Sequence, residues 1–143
     1  FNAGTTGSVM VEGRISSSAI VGDGSDVGGG ASILGVLSGT DGNPISVGKN
    51  CLLGANSTCG IPLGDGCIID AGVAILEGTK IAIYPEELTK LMSVNTNMKM
   101  EGEIFKGKQL AGFYGIHYRQ NSMTGEITAS RSTREIKLNS DLH

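Results

Sequence analysis

The sequence predicts an all-β chain: a parallel β-helix of six-residue repeats over residues 1–81, then a short helix and a small C-terminal β-hairpin module over residues 82–143. Three observations carry this reading. Apolar residues recur at every sixth position, glycine is concentrated in the same stretch, and both features stop near residue 81. Residues 1–81 hold 18 of the 23 glycines, with seven acids against three bases, whereas residues 82–143 hold five glycines, with seven acids against eight bases.

The repeat runs Val9, Ile15, Val21, Val27 and Ile33, resumes at Val47, Leu53 and Cys59, and after one more slip continues through Leu63, Ile69, Ile75 and Ile81. Glycine often follows the apolar residue, as in Val21-Gly22, Val27-Gly28 and Leu53-Gly54. Small or medium residues sit four places on, as at Ser25, Ala31, Cys51, Ser57, Cys67 and Val73. A period of six fits neither a helix nor a simple strand alternation. It fits units of one short strand and one turn, three to a coil, with the apolar residue stacked inward; residues 9–81 then make about four coils. In chains with this hexapeptide repeat the winding is left-handed, against the usual right-handed crossover rule.

The two slips mark the corners. Fourteen residues separate Ile33 from Val47, around Ser38-Gly39-Thr40-Asp41-Gly42-Asn43-Pro44, which reads as a loop leaving one corner. Only four separate Cys59 from Leu63, around Gly60-Ile61-Pro62. Beyond Ile81, Pro85–Met92 reads as a short helix with Pro in its first turn and acids near its N-terminus. Residues 110–119 and 126–131 read as two strands joined by a hairpin connection.

Composition narrows the function. Three prolines beside 23 glycines rule out a collagen-like or Pro-rich chain, and 39% apolar residues argue against disorder. A net charge of −3 argues against a nucleic-acid partner. No stretch approaches the roughly 18 apolar residues of a membrane helix, so no membrane partner is expected. Cys51, Cys59 and Cys67 are odd in number and lack zinc-ligand spacing, which suits core-packed free thiols in a reducing cytoplasm. The chain opens at Phe1 rather than Met, and is expected to be the C-terminal portion of a longer protein.

Few residues can carry chemistry. His117 and His143 are the only histidines and neither lies in the repeat, so a three-histidine zinc site on the coils is excluded. His117, between Ile116 and Tyr118, reads as structural. Glu12, in Met10-Val11-Glu12-Gly13-Arg14, is the remaining candidate: a carboxylate that accepts a proton from an amine or attacks a thioester, or a solvated acid beside Arg14. The run Gly28-Gly29-Gly30-Ala31-Ser32 exposes backbone N–H groups to a ligand, or forms a tight corner. It is neither a dinucleotide fingerprint nor a P-loop. Lys80, Lys106 and Arg119 are separated bases able to meet phosphates.

The wording of several segments resembles the tetrahydrodipicolinate N-succinyltransferase family. They are Phe1-Asn2-Ala3-Gly4, Met10 to Ser18, Ser25 to Ile33, Gly48 to Asn56, Glu77-Gly78-Thr79-Lys80 and Arg119-Gln120-Asn121-Ser122. The likeness spans nearly the whole chain and is weakest over residues 82–105. It implies succinyl transfer from succinyl-CoA to ring-opened tetrahydrodipicolinate, in the diaminopimelate route to lysine, by a cytoplasmic homotrimer with sites between neighbouring β-helices. Magnesium is implied only through residues upstream of this chain.

The resemblance assigns Glu12 as the catalytic residue, forming an acyl-anhydride or acting as general base. It implies that Arg14 meets the acyl group, that Gly29 and Ser32 line the donor site, and that Gly35 donates to the oxyanion. Ala55, Asp70, Ala71 and Gly78 would line the pantetheine groove, with Lys106 and Arg119, Gln120, Asn121 and Ser122 at the nucleotide end. The family often has Glu in place of Asp70 and a second Arg in place of Gln120. Two other readings stand beside this one: a hexapeptide acyltransferase for another amine, and a non-catalytic β-solenoid scaffold. An ice-binding scaffold needs a ladder of threonines, and Thr40, Thr58 and Thr79 are out of register.

Overall fold

The computed structural model describes residues 4–5, 10–11, 14–15, 20–34 and 45–134. Short strands alternate with tight corners, and the chain visits three parallel sheets in rotation. The first sheet contains β1 (Gly4–Thr5), β4 (Ile20–Val21) and β7 (Ser46–Val47), extended by a bridge from Val47 to Leu63. The second begins β2 (Met10–Val11), β5 (Asp26–Val27), β8 (Leu52–Leu53) and β10 (Ile68–Ile69). The third contains β3 (Arg14–Ile15), β6 (Ser32–Ile33), β9 (Thr58–Cys59) and β11 (Ala74–Ile75). Four circuits of this kind make a three-sided stack.

The six-residue period is what places one apolar side chain per strand in the middle. Val21 and Val47 are paired on one side, Val27, Leu53 and Ile69 on the second, and Ile33, Cys59 and Ile75 on the third. All eight are buried. The small residues four places on fill the inner corners: Ser25, Cys51 and Cys67 lie in one column, Ala31, Ser57 and Val73 in another. Ser25 Oγ donates to Gly48 O (2.8 Å) and accepts from Cys51 N (2.9 Å), so this buried hydroxyl is satisfied.

The corners need left-handed backbone, and glycine or asparagine supplies it. Asn50 and Asn56 have φ of 57° and 59°, and Gly24, Gly66, Gly30 and Gly72 occupy the equivalent places in adjacent circuits. One expectation shifts here. The repeat counted Val9 and Ile15 as successive inward residues, but Val11 is the residue paired with Val27, and Ile15 with Ile33. Only four positions separate these two, the same short step that takes Cys59 to Leu63. Val9 lies outside the described residues, as does most of the long insertion, residues 35–44.

After β12 (Lys80–Ala82) comes α1 (Pro85–Val94), close to the expected span. Pro85 stands at its start and Glu86 and Glu87 in its first turn, where the missing N–H and the dipole favour them. Leu88 and Leu91 are buried. The expected strand from residue 110 is shorter: β13 (Ile104–Lys106) and a 3₁₀ turn (Gly107–Leu110) precede β14 (Ile116–Gln120), which forms a hairpin with β15 (Ile127–Arg131). Glycines at 112 and 115 with positive φ break the earlier part of that run.

The hairpin extends the second sheet, whose order is β13-β12-β15-β14-β10-β8-β5-β2. Tyr118 pairs with Ile69 and fills the interior where a fifth circuit would stand. Its ring is fully buried, and its hydroxyl has no hydrogen-bond partner among the described residues. Ile81, Ile83, Phe105, Leu110, Ile116 and Ala129 join it over the end of the stack. Among the described residues, no helix is long and apolar enough to cross a membrane.

Candidate functional site

The second sheet sets the geometry. Its register pairs Val11 with Val27, Val27 with Leu53, Leu53 with Ile69, and Ile69 with Tyr118. The pairing continues one residue further, with Gly28 N donating to Leu53 O (2.8 Å), Gly54 N to Ile69 O (2.8 Å) and Asp70 N to Tyr118 O (3.0 Å). Gly28, Gly54, Asp70 and Arg119 therefore form one column along a corner, at a spacing of about 4.8 Å.

Glycine is required at two places in this column. A Cβ on Gly54 would stand 2.5 Å from Ala71 N, and one on Gly28 would stand 2.9 Å from Leu53 O. The next column holds Gly29, Ala55 and Ala71, linked by Asn56 N to Gly29 O (3.0 Å) and Gly72 N to Ala55 O (2.9 Å). Two adjacent columns without long side chains give a bare strip of main chain, closed at one end by the polar pair Asp70 and Arg119. Ser32 starts the neighbouring side and pairs with Arg14 on one flank and Thr58 on the other.

At the polar end, His117 Nε2 lies 2.6 Å from Asp70 Oδ1, with the imidazole mostly covered and the carboxylate 44% exposed. Arg119 reaches the same ring, its Nη2 3.2 Å from His117 Nδ1. His117, read as structural from sequence, thus sits between two residues implied to meet the acyl donor. Nothing local in the sequence signals this, because it depends on pairing β14 with β10.

The implied site residues separate into groups. Gly29, Ser32, Ala55, Asp70, Ala71 and Arg119 lie along one corner, and Arg14 pairs with Ser32 beside it. Gln120, Asn121 and Ser122 follow at the hairpin turn, where Asn121 Oδ1 accepts from Met123 N (2.8 Å) and holds the turn. Gly78 and Lys106 are elsewhere. Gly78 is exposed, with open space where a Cβ would stand. Lys106 pairs with Lys80 across β13 and β12, three strand spacings or about 14 Å from β14. Glu12 and Gly35 lie outside the described residues, as does His143.

The three cysteines are buried, Cys51 and Cys67 in the column of Ser25 and Cys59 on the third side. Burial pushes the Cys59 thiol up to about 12 and Cys67 well above its ordinary value, so neither is a nucleophile near neutral pH. Among the described residues no group of three or more His, Cys, Asp or Glu side chains could hold a metal ion. Sequence reasoning also passed over a polar cleft between α1 and β15, lined by Tyr84, Lys90, Arg119, Thr128 and Ser130. Its residues are unremarkable singly, and only the packing of the helix on the hairpin assembles them.

Comparison with known proteins shows likeness in both sequence and fold. Residues 44–77 match the family described as the hexapeptide repeat of succinyl-transferase. A 2,3,4,5-tetrahydropyridine-2,6-dicarboxylate N-succinyltransferase of Sulfurovum sp. is 73% identical over all of this chain and 36% of its own length. The protein of the same name from Campylobacter jejuni is 63% identical over the same shares. A crystal structure described as that of a Campylobacter jejuni 2,3,4,5-tetrahydropyridine-2-carboxylate N-succinyltransferase superposes with a TM-score of 0.86 at 62% identity, covering 92% of this chain and 34% of that one. The chain spans about 36% of the length of the curated relatives it matches, and over that whole span it is similar to N-succinyltransferases of this name.

Proposed function

We propose that the chain supplies the acyl-donor groove and catalytic carboxylate of a succinyl-CoA-dependent N-succinyltransferase acting on tetrahydrodipicolinate in the diaminopimelate route to lysine, a cytoplasmic activity. In this reading the three-sided stack is a left-handed hexapeptide β-helix. Identical protomers form a trimer, with the groove between neighbouring stacks. The observation that carries it is the column of Gly28, Gly54, Asp70 and Arg119, which runs along the corner from the end of β2 at Val11, the residue before Glu12.

A thioester arm lies along the strip of Gly28, Gly54, Gly29, Ala55 and Ala71, where the absence of long side chains lets it approach the main chain closely. Arg119 and Asp70 stand at its distal end and Glu12 and Arg14 at its reactive end. The substrate amine attacks the thioester carbonyl, and Glu12 accepts the proton released as the C–N bond forms. The tetrahedral oxyanion then collapses and expels the thiolate, which is protonated as it leaves. If Glu12 attacks first, the thiolate leaves as the mixed anhydride forms, and the amine then displaces the carboxylate. Both routes require the carboxylate in contact with the acyl carbon or the amine. No step passes through magnesium, whose ligands the resemblance puts outside this chain.

The test is Glu12→Ala, assayed with succinyl-CoA and tetrahydrodipicolinate. Transfer is abolished while the oligomer stays intact; normal turnover by a folded variant overturns the reading. Failure of the wild-type protein to bind succinyl-CoA in calorimetry would favour a non-catalytic solenoid instead.

A further inference from the structure

The interior of the stack carries chemistry that the donor strip does not use. We propose that Cys51 and Cys67 are a redox-responsive pair, closed by a small hydroperoxide into a disulfide that staples two adjacent circuits together.

The register brings the two residues level. Gly66 N donates to Lys49 O (2.8 Å) and Leu52 N donates to Cys67 O (2.9 Å), so Cys51 and Cys67 are held opposite each other from both sides. Their Cα atoms are then one strand spacing apart, about 4.8 Å, inside the span of roughly 4.4–6.8 Å that a disulfide bridges. Both side chains are fully buried in the same corner column. The Cys51 thiol leans toward the circuit of Cys67, donating to Gly64 O at 3.3 Å, and the two sulfurs are in hydrogen-bond contact.

Size alone does not call for sulfur at these places. Ser25 fills the same column one circuit away, and Ala31, Ser57 and Val73 fill the other inner corner. Cys59 is a control supplied by the fold itself. It is stacked between Ile33 and Ile75 on the third side, and its thiol donates to Ile61 O at 3.1 Å. Neither neighbour in its register is a thiol.

The pair is chemically unequal. The hydrogen bond from Cys67 is the main cause lowering the Cys51 thiol, whereas burial raises Cys67 well above its ordinary value. Cys51 is therefore the attacking sulfur and Cys67 the resolving one. The Cys51 sulfur also lies just beneath the surface, 3.8 Å from the carbonyl of Lys49, an exposed residue. Its thiolate attacks one peroxide oxygen. The S–O bond forms as the O–O bond breaks, and the departing hydroxide takes up the proton that Cys51 gave up. The Cys67 sulfur then attacks the Cys51 sulfur, and the S–O bond breaks as the Cys67 proton passes to the second hydroxide. Two thiols are oxidised and one peroxide is reduced to two waters. Cys51 leaves Gly64 O and Cys67 leaves Phe113 O, to which it donated at 3.4 Å. A thiol is a weak donor, so little opposes the change.

The test is peptide mapping of the folded chain by mass spectrometry after treatment with hydrogen peroxide, with remaining thiols alkylated in denaturant and no reductant added. The expected product joins the peptides of Cys51 and Cys67, lighter by two hydrogen atoms, with Cys59 alkylated. Dithiothreitol should restore all three thiols. The oxidised chain should have a higher urea midpoint than the reduced one, because the link constrains the unfolded chain. Cys59→Ser should keep the cross-link, and Cys51→Ser and Cys67→Ser should each lose it. The mapping of the unaltered chain decides the matter even if a serine variant fails to fold. Persistence of all three thiols, a cross-link through Cys59, or sulfinic acid at Cys51 in place of a disulfide overturns the proposal. A cross-link that leaves the midpoint unchanged or lowers it overturns the staple.

Discussion

His117 Nε2 and Asp70 Oδ1 meet at 2.6 Å across 47 residues of sequence, at the point where β14 is laid beside β10. The contact ties the hairpin to the repeat and fixes a carboxylate at the end of the bare strip. Because the Asp70 side chain is 44% exposed, the pair adds little to stability, about 1 kcal/mol or less. Its effect is on position. His117→Ala is therefore expected to leave the unfolding temperature nearly unchanged, while KM for succinyl-CoA rises several-fold and kcat is largely preserved. Steady-state kinetics on the folded variant check this; an unchanged KM shows that the pair is only a fastening.

Gly54, in the bare strip, and Gly78, named by the resemblance, behave oppositely. A Cβ on Gly54 meets backbone of the next circuit, at 2.5 Å from Ala71 N and 2.9 Å from Asp70 C, and no side-chain movement relieves it. Gly54→Ala should cost about 1–3 kcal/mol of stability, as overpacking does. Gly78→Ala meets nothing within 4 Å and should leave stability alone. Urea titrations of the two variants distinguish them, and any loss of donor binding in Gly78→Ala then reports the ligand and not the fold.

Asn50 and Asn56 hold φ of 57° and 59°, and each amide oxygen lies where a Cβ on the glycine of the preceding circuit would go. Asn tolerates this backbone better than other non-glycine residues. Asn56→Ala is expected to destabilise by about 1 kcal/mol and Asn56→Gly by less. Gly30→Ala, at φ 73° with Asn56 Oδ1 2.0 Å from the added carbon, should be worse than either. Denaturation midpoints rank the three.

These corners explain what could be read from sequence. A six-residue period makes Val21, Val27, Ile33, Val47, Leu53, Cys59, Leu63, Ile69, Ile75 and Ile81 equivalent, and all ten are buried. The period breaks where a corner lengthens between Ile33 and Val47 and where one shortens between Cys59 and Leu63; near the start, Val11 is the residue that pairs with Val27, and Val9 lies outside the described residues. Gly29, Ala55 and Ala71, named through the resemblance, fall in one column because they recur with the repeat. The approach of His117 to Asp70, and of Tyr84 to Thr128 and Ser130, was not legible. Such contacts depend on how segments beyond the repeat dock, and no local periodicity encodes that.

The buried acids of the core set the alkaline limit. Burial raises Cys59 from 9.0 to about 12, and raises Cys67 and Tyr118 well above their ordinary values. Cys51 is the exception, lowered chiefly by a hydrogen bond from Cys67. A group whose folded value is raised stabilises the fold fully below its unfolded value and loses that contribution as pH climbs through the folded one. Stability should therefore hold to about pH 9 and fall between 9 and 12. On the acid side, Glu87 is held below its ordinary value by the N–H of Arg131 and then by Lys90, so its contribution is present above that ordinary value and lost as pH falls through the depressed one. Urea midpoints measured against pH test both limbs; a midpoint constant to pH 12 would refute the first.

Asn95 follows α1 and ties its end to the neighbouring chain. Its side chain, 1% exposed, donates to Leu91 O (2.9 Å) and Tyr114 O (3.0 Å) and accepts from Tyr114 N (2.7 Å), so one amide joins the end of α1 to the segment that enters β14. Asn95→Ala leaves Tyr114 N and Tyr114 O without this partner in a covered place, while Leu91 O keeps the backbone N–H of residue 95, a cost of about 2–3 kcal/mol. Asn95→Asp keeps the acceptor for Tyr114 N but loses both donors and sets a carboxylate against two carbonyls, so it should be no better. Because the amide anchors α1 against the hairpin, both variants should also open the cleft, exposing the helix to protease before the stack itself unfolds. Limited proteolysis followed by mass spectrometry locates the first cut. Cleavage beginning within the repeat rather than around α1 would show that the helix is held chiefly by Leu88 and Leu91, and that the amide is dispensable.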